Sequence, residues 1–263
     1  MQGYRESTNS EITASRLRSK NTYAYLNDEG NFDAITKSSG ISLIEQKVQE
    51  LHKVMWKNRN EIWPNGIPSD PVDLLNPQFA LEFLGYSLDM AEYLGEYYSH
   101  DSSIEVAGTL DRTNKKIRIS NRLHKNSLRF TMAHELGHVL LHNETVMHRD
   151  KAVDGSHQNT PREPMEFEAD KFSALYLMPK KLVKQRFKQT FGVEKFILNE
   201  ETAFALDPKN SNKLIKKNNN SYDLAKTLAS ADHYNGNQVN SLAAQFRVSV
   251  GAMAIRIREL GLI

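Results

Sequence analysis

The strongest chemical signal in this chain is a pair of histidines four residues apart with a glutamate after the first: His134-Glu135-Leu136-Gly137-His138. In an α-helix, residues four apart differ by about 40° in direction and by ~6 Å along the axis. His134 and His138 therefore project side by side and can bind one ion through their imidazoles. Glu135 lies beside the pair, where a carboxylate can take a proton from a water that such an ion activates. Chance placement of the chain's 9 histidines and its glutamates would produce this pattern about 0.02 times. A metal-binding hydrolase helix is therefore the better reading than a helix with surface histidines.

Catalytic zinc takes three protein ligands and keeps one position open, so a third ligand must come from elsewhere. His142 is nearest in sequence but stands about 12 Å further along the helix than His134. No glycine follows His138 to let the chain turn back, so His142 is expected to bond at the helix end or to line the cleft. Glu166, in Pro164-Met165-Glu166-Phe167-Glu168-Ala169-Asp170, is the first choice. Asp170 is its i,i+4 neighbour and can accept a hydrogen bond from the distal nitrogen of a ligating histidine. Glu168 is the alternative ligand, but it points about 160° away from Glu166 and reads as solvent-facing.

These residues need two helices to carry them. Asn126 or Ser127 can cap one running from Leu128 to about His142, and Pro164 can open another that stops near Met178-Pro179. Upstream, Ile44, Val48, Leu51, Met55 and Ile62 share a helix face, with Trp56 and Trp63 expected to complete its packing surface. Asp70-Pro71 and Asn76-Pro77 each look like the start of a short helix, the second closed by Gly85. A strand near Tyr86 to Met90 and a hairpin of Ile104–Leu110 with Lys116–Ser120 predict a small antiparallel sheet before the motif helix. The hairpin strand could pair with an extended substrate or simply be packed. Beyond Lys180–Gln189, a third amphipathic helix, the Asn- and Lys-rich stretch 209–221 reads as a loop. Two short helical patterns, Val239–Phe246 and Val250–Leu260, close the chain. The expected class is α+β: residues 1–40 a flexible arm, 41–192 the domain with the chemistry, and 193–263 a helical C-terminal region with a helix-turn-helix-like end.

Composition narrows the function. With 34 basic against 32 acidic residues, the net charge of +2 commits the chain to neither nucleic acid nor a membrane surface. The absence of cysteine removes thiolate catalysis and every cysteine-type zinc site, so a metal must be held by His, Asp or Glu. The first residues lack the apolar core of a secretory signal, and no stretch approaches the ~20 apolar residues of a membrane span, so a cytoplasmic location is expected.

The block Arg129-Phe130-Thr131-Met132-Ala133-His134-Glu135-Leu136-Gly137-His138-Val139-Leu140-Leu141-His142, together with the stretch from Glu166-Phe167-Glu168-Ala169-Asp170 to Met178-Pro179, resembles the ImmA/IrrE family of bacterial metallopeptidases. The similarity covers roughly residues 68–190 and 238–263. It implies a minimal zincin-like domain with a helical C-terminal lobe, whose members cleave helix-turn-helix repressors to induce mobile-element or stress-response genes. It maps the metal ligands onto His134, His138 and Glu166, the gluzincin-like set, and the catalytic base onto Glu135. The expected cofactor is one zinc ion per chain, with manganese as the alternative. The expected partner is a helix-turn-helix repressor or an antitoxin-like regulator.

Peptide hydrolysis also needs a donor for the developing oxyanion, and Tyr176, His148, His157 and Arg129 are candidates, with His142 as a further substrate contact. Two rivals remain from other classes. One is a DNA-binding regulator with Arg247, Arg256 and Arg258 facing DNA, which the near-neutral charge disfavours. The other is a sensor that holds zinc or manganese without cleaving anything.

Overall fold

The computed structural model describes residues 34–99, 102–143, 149–151, 164–217 and 221–263. His148, His157 and most of the expected N-terminal arm lie outside them. The chain divides into two compact units. One holds the described residues up to Leu123 with 131–151 and 164–173; the other holds 124–130 and 174–263.

In the first unit, Ile44, Val48, Leu51 and Met55 form the buried stripe of α1 (Ala34–Lys57), followed by a single turn, α2 (Arg59–Ile62). The helix is already under way inside the segment expected as an arm, because its first turns, Ala34-Ile35-Thr36-Lys37-Ser38-Ser39-Gly40, carry no apolar periodicity to announce it. Trp63 is buried, edge-on to Phe79 with ring centroids 5.9 Å apart. Trp56 does not join that surface as expected: it is 52% exposed, with the Arg59 guanidinium over its ring. Asp70 starts only a 3-10 turn, Asp73–Leu75, accepting from the Val72 N–H. Asn76 caps α3 (Pro77–Phe83) through the Gln78 N–H.

A five-stranded sheet follows, formed by β1 (Ser87–Ala91), β2 (Glu96–Ser99), β3 (Ser102–Asp111), β4 (Lys116–Ser120) and β5 (Arg149–Lys151). The hairpin β3–β4 is antiparallel, with Gly108 opposite Ile119. The sheet as a whole is mixed rather than antiparallel, because β1 lies along β4 in parallel, Leu88 opposite Ile117. The intervening β2 and β3 bring the chain back so that β4 enters beside β1 in the same direction. Alternation in β4 is as the sequence predicts: Ile117 and Ile119 are fully buried and Arg118 is exposed. The outer edge of β3 is paired too, with β2 at one end and β5 at the other.

The motif helix α4 (Lys125–Leu141) begins three residues before the expected Leu128, so Asn126 and Ser127 lie inside it rather than capping it. The His124 ring accepts from the Asn126 N–H at 3.3 Å and its carbonyl from the Leu128 N–H at 2.8 Å. Asn126 is thereby released to donate to the Val248 carbonyl. The second helix, α5 (Pro164–Leu177), starts at the expected proline.

The second unit is helical: α6 (Lys180–Phe191), α7 (Glu200–Leu206), α8 (Ser211–Lys217), α9 (Ser221–Ser230), the small hairpin β6 (His233–Tyr234) and β7 (Asn237–Gln238), then α10 (Leu242–Phe246) and α11 (Val250–Glu259). Within the stretch read as loop, Ser211–Lys217 is therefore helix; its lysines and asparagines flank the half-buried pair Leu214 and Ile215, too short a pattern to read as periodic. Helix α9 packs on α11 through Ala225, Leu228, Met253 and Ile257. The class is α+β, as expected. Among the described residues no helix is long and apolar enough to cross a membrane.

What brings α4 and α5 together is Gly137. A Cβ at this position would stand 3.1 Å from the Ala169 Cα and 3.2 Å from both the Ala169 carbonyl oxygen and the Phe172 Cβ. Alanine in a helix interior is favoured over glycine by about 1 kcal/mol, whereas overpacking costs about 1–3 kcal/mol. Because two of the three opposing atoms are backbone, overpacking wins. Gly137→Ala is expected to lower the thermal midpoint of the protein; a raised midpoint would show that the helices are not in this close contact.

Candidate metal centre

Three donors converge between the two helices: His134 and His138 from α4, and Glu166 from the first turn of α5. The His134 and His138 Nε2 atoms face one another at 2.9 Å. One Glu166 oxygen lies 3.1 Å from His134 Nε2, and the other lies 3.4 Å from His138 Nε2. Both rings are completely buried and Glu166 is half-buried.

The far sides of the rings decide what this convergence means. His134 Nδ1 stands 2.9 Å from Asp170 Oδ1, and a carboxylate only accepts, so the proton of a neutral His134 sits on Nδ1 and its Nε2 is a bare lone pair. His138 Nδ1 is likewise engaged, 2.8 Å from His142 Nδ1. Two lone pairs and a carboxylate brought this close repel unless positive charge sits among them. A tetrahedral zinc with bonds of about 2.0–2.1 Å separates its ligand atoms by about 3.3–3.4 Å. The observed spacings of 2.9, 3.1 and 3.4 Å fit such an ion with small adjustments.

Electrostatics agree with the donor set. Burial, reinforced by the neighbouring His134 and His142, pulls His138 down to about 3 against the opposing pull of Glu166, so the ring is neutral and able to ligate. Burial pushes Glu166 up, but hydrogen bonding and charge from His134 and His138 more than reverse this. Its carboxyl is held well below the ordinary 4.5.

Glu135 is fully buried on the motif helix, its carboxylate against Gly108 of β3. A Cβ on Gly108 would overlap Glu135 Oε1 and press on Thr131 Cγ2 at 3.1 Å. The glycine thus shapes the space in which the acid sits. Arg112, in the β3–β4 turn, donates to the His138 and Val139 carbonyls in the last turn of the helix, where the His138 carbonyl also accepts from the His142 N–H at 3.2 Å.

The remaining expected residues fall elsewhere. His142 takes the first of its two expected places, bonding at the helix end: it is fully buried just past the last turn of α4, between His138 and Glu168. Glu168 is not solvent-facing, since its Oε2 lies 3.1 Å from His142 Nε2. The helical angle from Glu166 was sound for the backbone, but three side-chain torsions let a glutamate reach round. Tyr176 is completely buried, with Arg129 near it, and lies about 15 Å along the axis of α5 from Glu166. Burial raises its phenol, so it stays protonated. The hairpin offers no open edge on β3, which is paired on both sides. Gly108 and Arg112 were missed, as was the pairing of Glu168 with His142. Only His142 gave a signal, as the third of three histidines spaced i,i+4.

Residues 87–198 match the family model described as the IrrE N-terminal-like domain, peptidase family M78. The match opens on β1 and closes beyond α6, and so contains every residue of the cluster. No curated protein matches the chain.

The metal-free protein has a defined response to acid. An unfolded histidine takes a proton near 6.5, whereas folded His138 resists down to about 3; Glu166 stays ionised below the 4.5 of an unfolded carboxyl. In both cases the unfolded chain binds more protons, so these groups leave stability intact above about 6.5 and erode it as the pH falls toward 3. Urea unfolding in the presence of a chelator should show a midpoint that declines across this window. A midpoint independent of pH would contradict it.

Proposed function

We propose, from the premise that residues 87–198 are a metallopeptidase domain of the ImmA/IrrE family, that this protein is a zinc-dependent endopeptidase with His134, His138 and Glu166 as ligands and Glu135 as the base. The observation that carries the reading is the convergence of two histidine lone pairs and one carboxylate on a single point, with a buried glutamate on the same helix. Among the described residues three protein donors converge there, the number of a catalytic rather than a structural zinc site. When bound, zinc would polarise the scissile carbonyl and acidify the attacking water.

Each side chain then has a task. Glu135 removes a proton from the water and returns it to the leaving amine. Its burial against Gly108 keeps the carboxylate in one place, so little reorientation is needed when the proton moves. Asp170 accepts from His134 Nδ1, keeping that ring's Nε2 free for the ion. Glu166 adds one negative charge, leaving the ion net positive and able to act as a Lewis acid.

The substrate we propose is a helix-turn-helix repressor or antitoxin-like regulator in the cytoplasm, a reading that rests on the family resemblance. The DNA-binding rival loses one of its three arginines. Arg256 is buried, donating to the Met178 carbonyl at 3.0 Å and to Glu259 at 2.9 Å, so it braces the helical unit.

Purified protein with zinc, incubated with the transcriptional regulator encoded beside its gene, is expected to release a fragment. Glu135→Gln should bind zinc as the wild type does and cleave on the order of 100- to 10,000-fold more slowly. Equal cleavage by Glu135→Gln would remove the glutamate from its role. Gly108→Ala, which displaces the same carboxylate, should lower kcat while leaving zinc affinity unchanged; an unaltered kcat would show that the space beside Gly108 does not position the base.

A further inference from the structure

Beneath His138 lies a hydrogen-bonded line that the reaction itself does not use. His142 Nδ1 is 2.8 Å from His138 Nδ1, and His142 Nε2 is 3.1 Å from Glu168 Oε2. We propose that His142 and Glu168 together hold His138 in the tautomer that binds the metal, doing through an imidazole relay what Asp170 does directly for His134. The inference rests on the metal centre proposed above.

Proton counting gives the direction of the relay. To offer Nε2 to an ion, His138 must carry its proton on Nδ1. Two nitrogens 2.8 Å apart share one hydrogen, so if His138 Nδ1 donates, His142 Nδ1 accepts. The proton of neutral His142 is then on Nε2, facing Glu168, whose carboxylate can only accept. Every hydrogen has one donor and one acceptor, and the order runs His138 to His142 to Glu168. Reversing the His142 tautomer would set two N–H groups against each other at one end and a lone pair against a carboxylate at the other. Glu168 is thus the group that sets the direction, although it is two residues from where it would touch His138.

Burial makes the relay selective. His142 has no exposed surface, so water does not replace a lost partner, whereas Glu168 retains 28% of its side-chain exposure and can be altered without opening the core. The two ligating rings also differ in kind: His134 leans directly on a carboxylate, His138 on a second imidazole with a carboxylate behind it. His142 and Glu168 are positioning residues and touch neither the ion nor substrate.

The test is zinc affinity of the full chain, measured by competition with a chromophoric chelator, with thermal melts of the metal-free proteins alongside. His142→Leu and Glu168→Ala are expected to bind zinc about 10- to 100-fold more weakly than wild type. His142→Asn, whose Oδ1 stands where Nδ1 stood and can accept the same hydrogen, should stay within about threefold of wild type. This rescue separates the relay from mere packing, since leucine and asparagine fill the space about equally. If His142→Leu fails to fold, the half-exposed Glu168→Ala decides alone. Wild-type affinity in Glu168→Ala, or an equal loss in the leucine and asparagine variants at unchanged melting temperature, overturns the relay. Wild-type protein that binds zinc no more tightly than His134→Ala removes the metal centre itself, and the relay with it.

Discussion

Everything at this site depends on how closely two helices approach at Gly137 and Ala169. A hydrogen in place of a side chain at Gly137 lets the backbone of α5 come within van der Waals range of α4. At that distance Glu166 reaches both Nε2 atoms and Asp170 reaches the opposite nitrogen of His134. Move α5 outward by a side chain's width and each of these contacts lengthens past hydrogen-bonding range. The glycine sits between the two histidines of the motif, so the helix that carries both rings also makes room for Glu166.

The close approach creates an electrostatic problem that the fold leaves open. Three acceptors face one another in a buried space, with their protons drawn away by Asp170 on one side and the His142–Glu168 pair on the other. Burying like partial charges is unfavourable unless something positive joins them. A divalent cation resolves this, and the low protonation of His138 and Glu166 means that few protons must be displaced when it enters. On the proposed reading, the same strain that destabilises the metal-free site in acid contributes to metal affinity near neutrality.

Glu135 meets the sheet. Its carboxylate occupies the notch left by Gly108, on the strand that pairs with β4 on one side and with β2 and β5 on the other. Two glycines, one on a helix and one on a strand, therefore set two spacings: that of Glu166 to the two histidines, and the seat of the Glu135 carboxylate. Neither has an unusual backbone angle; each is there because a Cβ would not fit.

The motif spacing carried a large part of this in advance. Helical periodicity is local, so a spacing of four from His134 to His138 places both rings on one face, and the same spacing from Glu166 to Asp170 does likewise. The cap at Pro164, the β3–β4 hairpin and the buried stripe of α1 are local too, and they were legible for that reason. What only the tertiary structure decided concerns residues distant in sequence. The parallel alignment of β1 with β4, the burial of Arg256 under the Met178 carbonyl, the seat of Glu135 on Gly108 and the partnership of Glu168 with His142 all join segments whose spacing encodes no angle. The sequence by itself determined which residues could form a metal site. The packing of α5 on α4 determined which hydrogen bonds orient them, because side-chain reach and proton direction depend on distances that no helical repeat specifies.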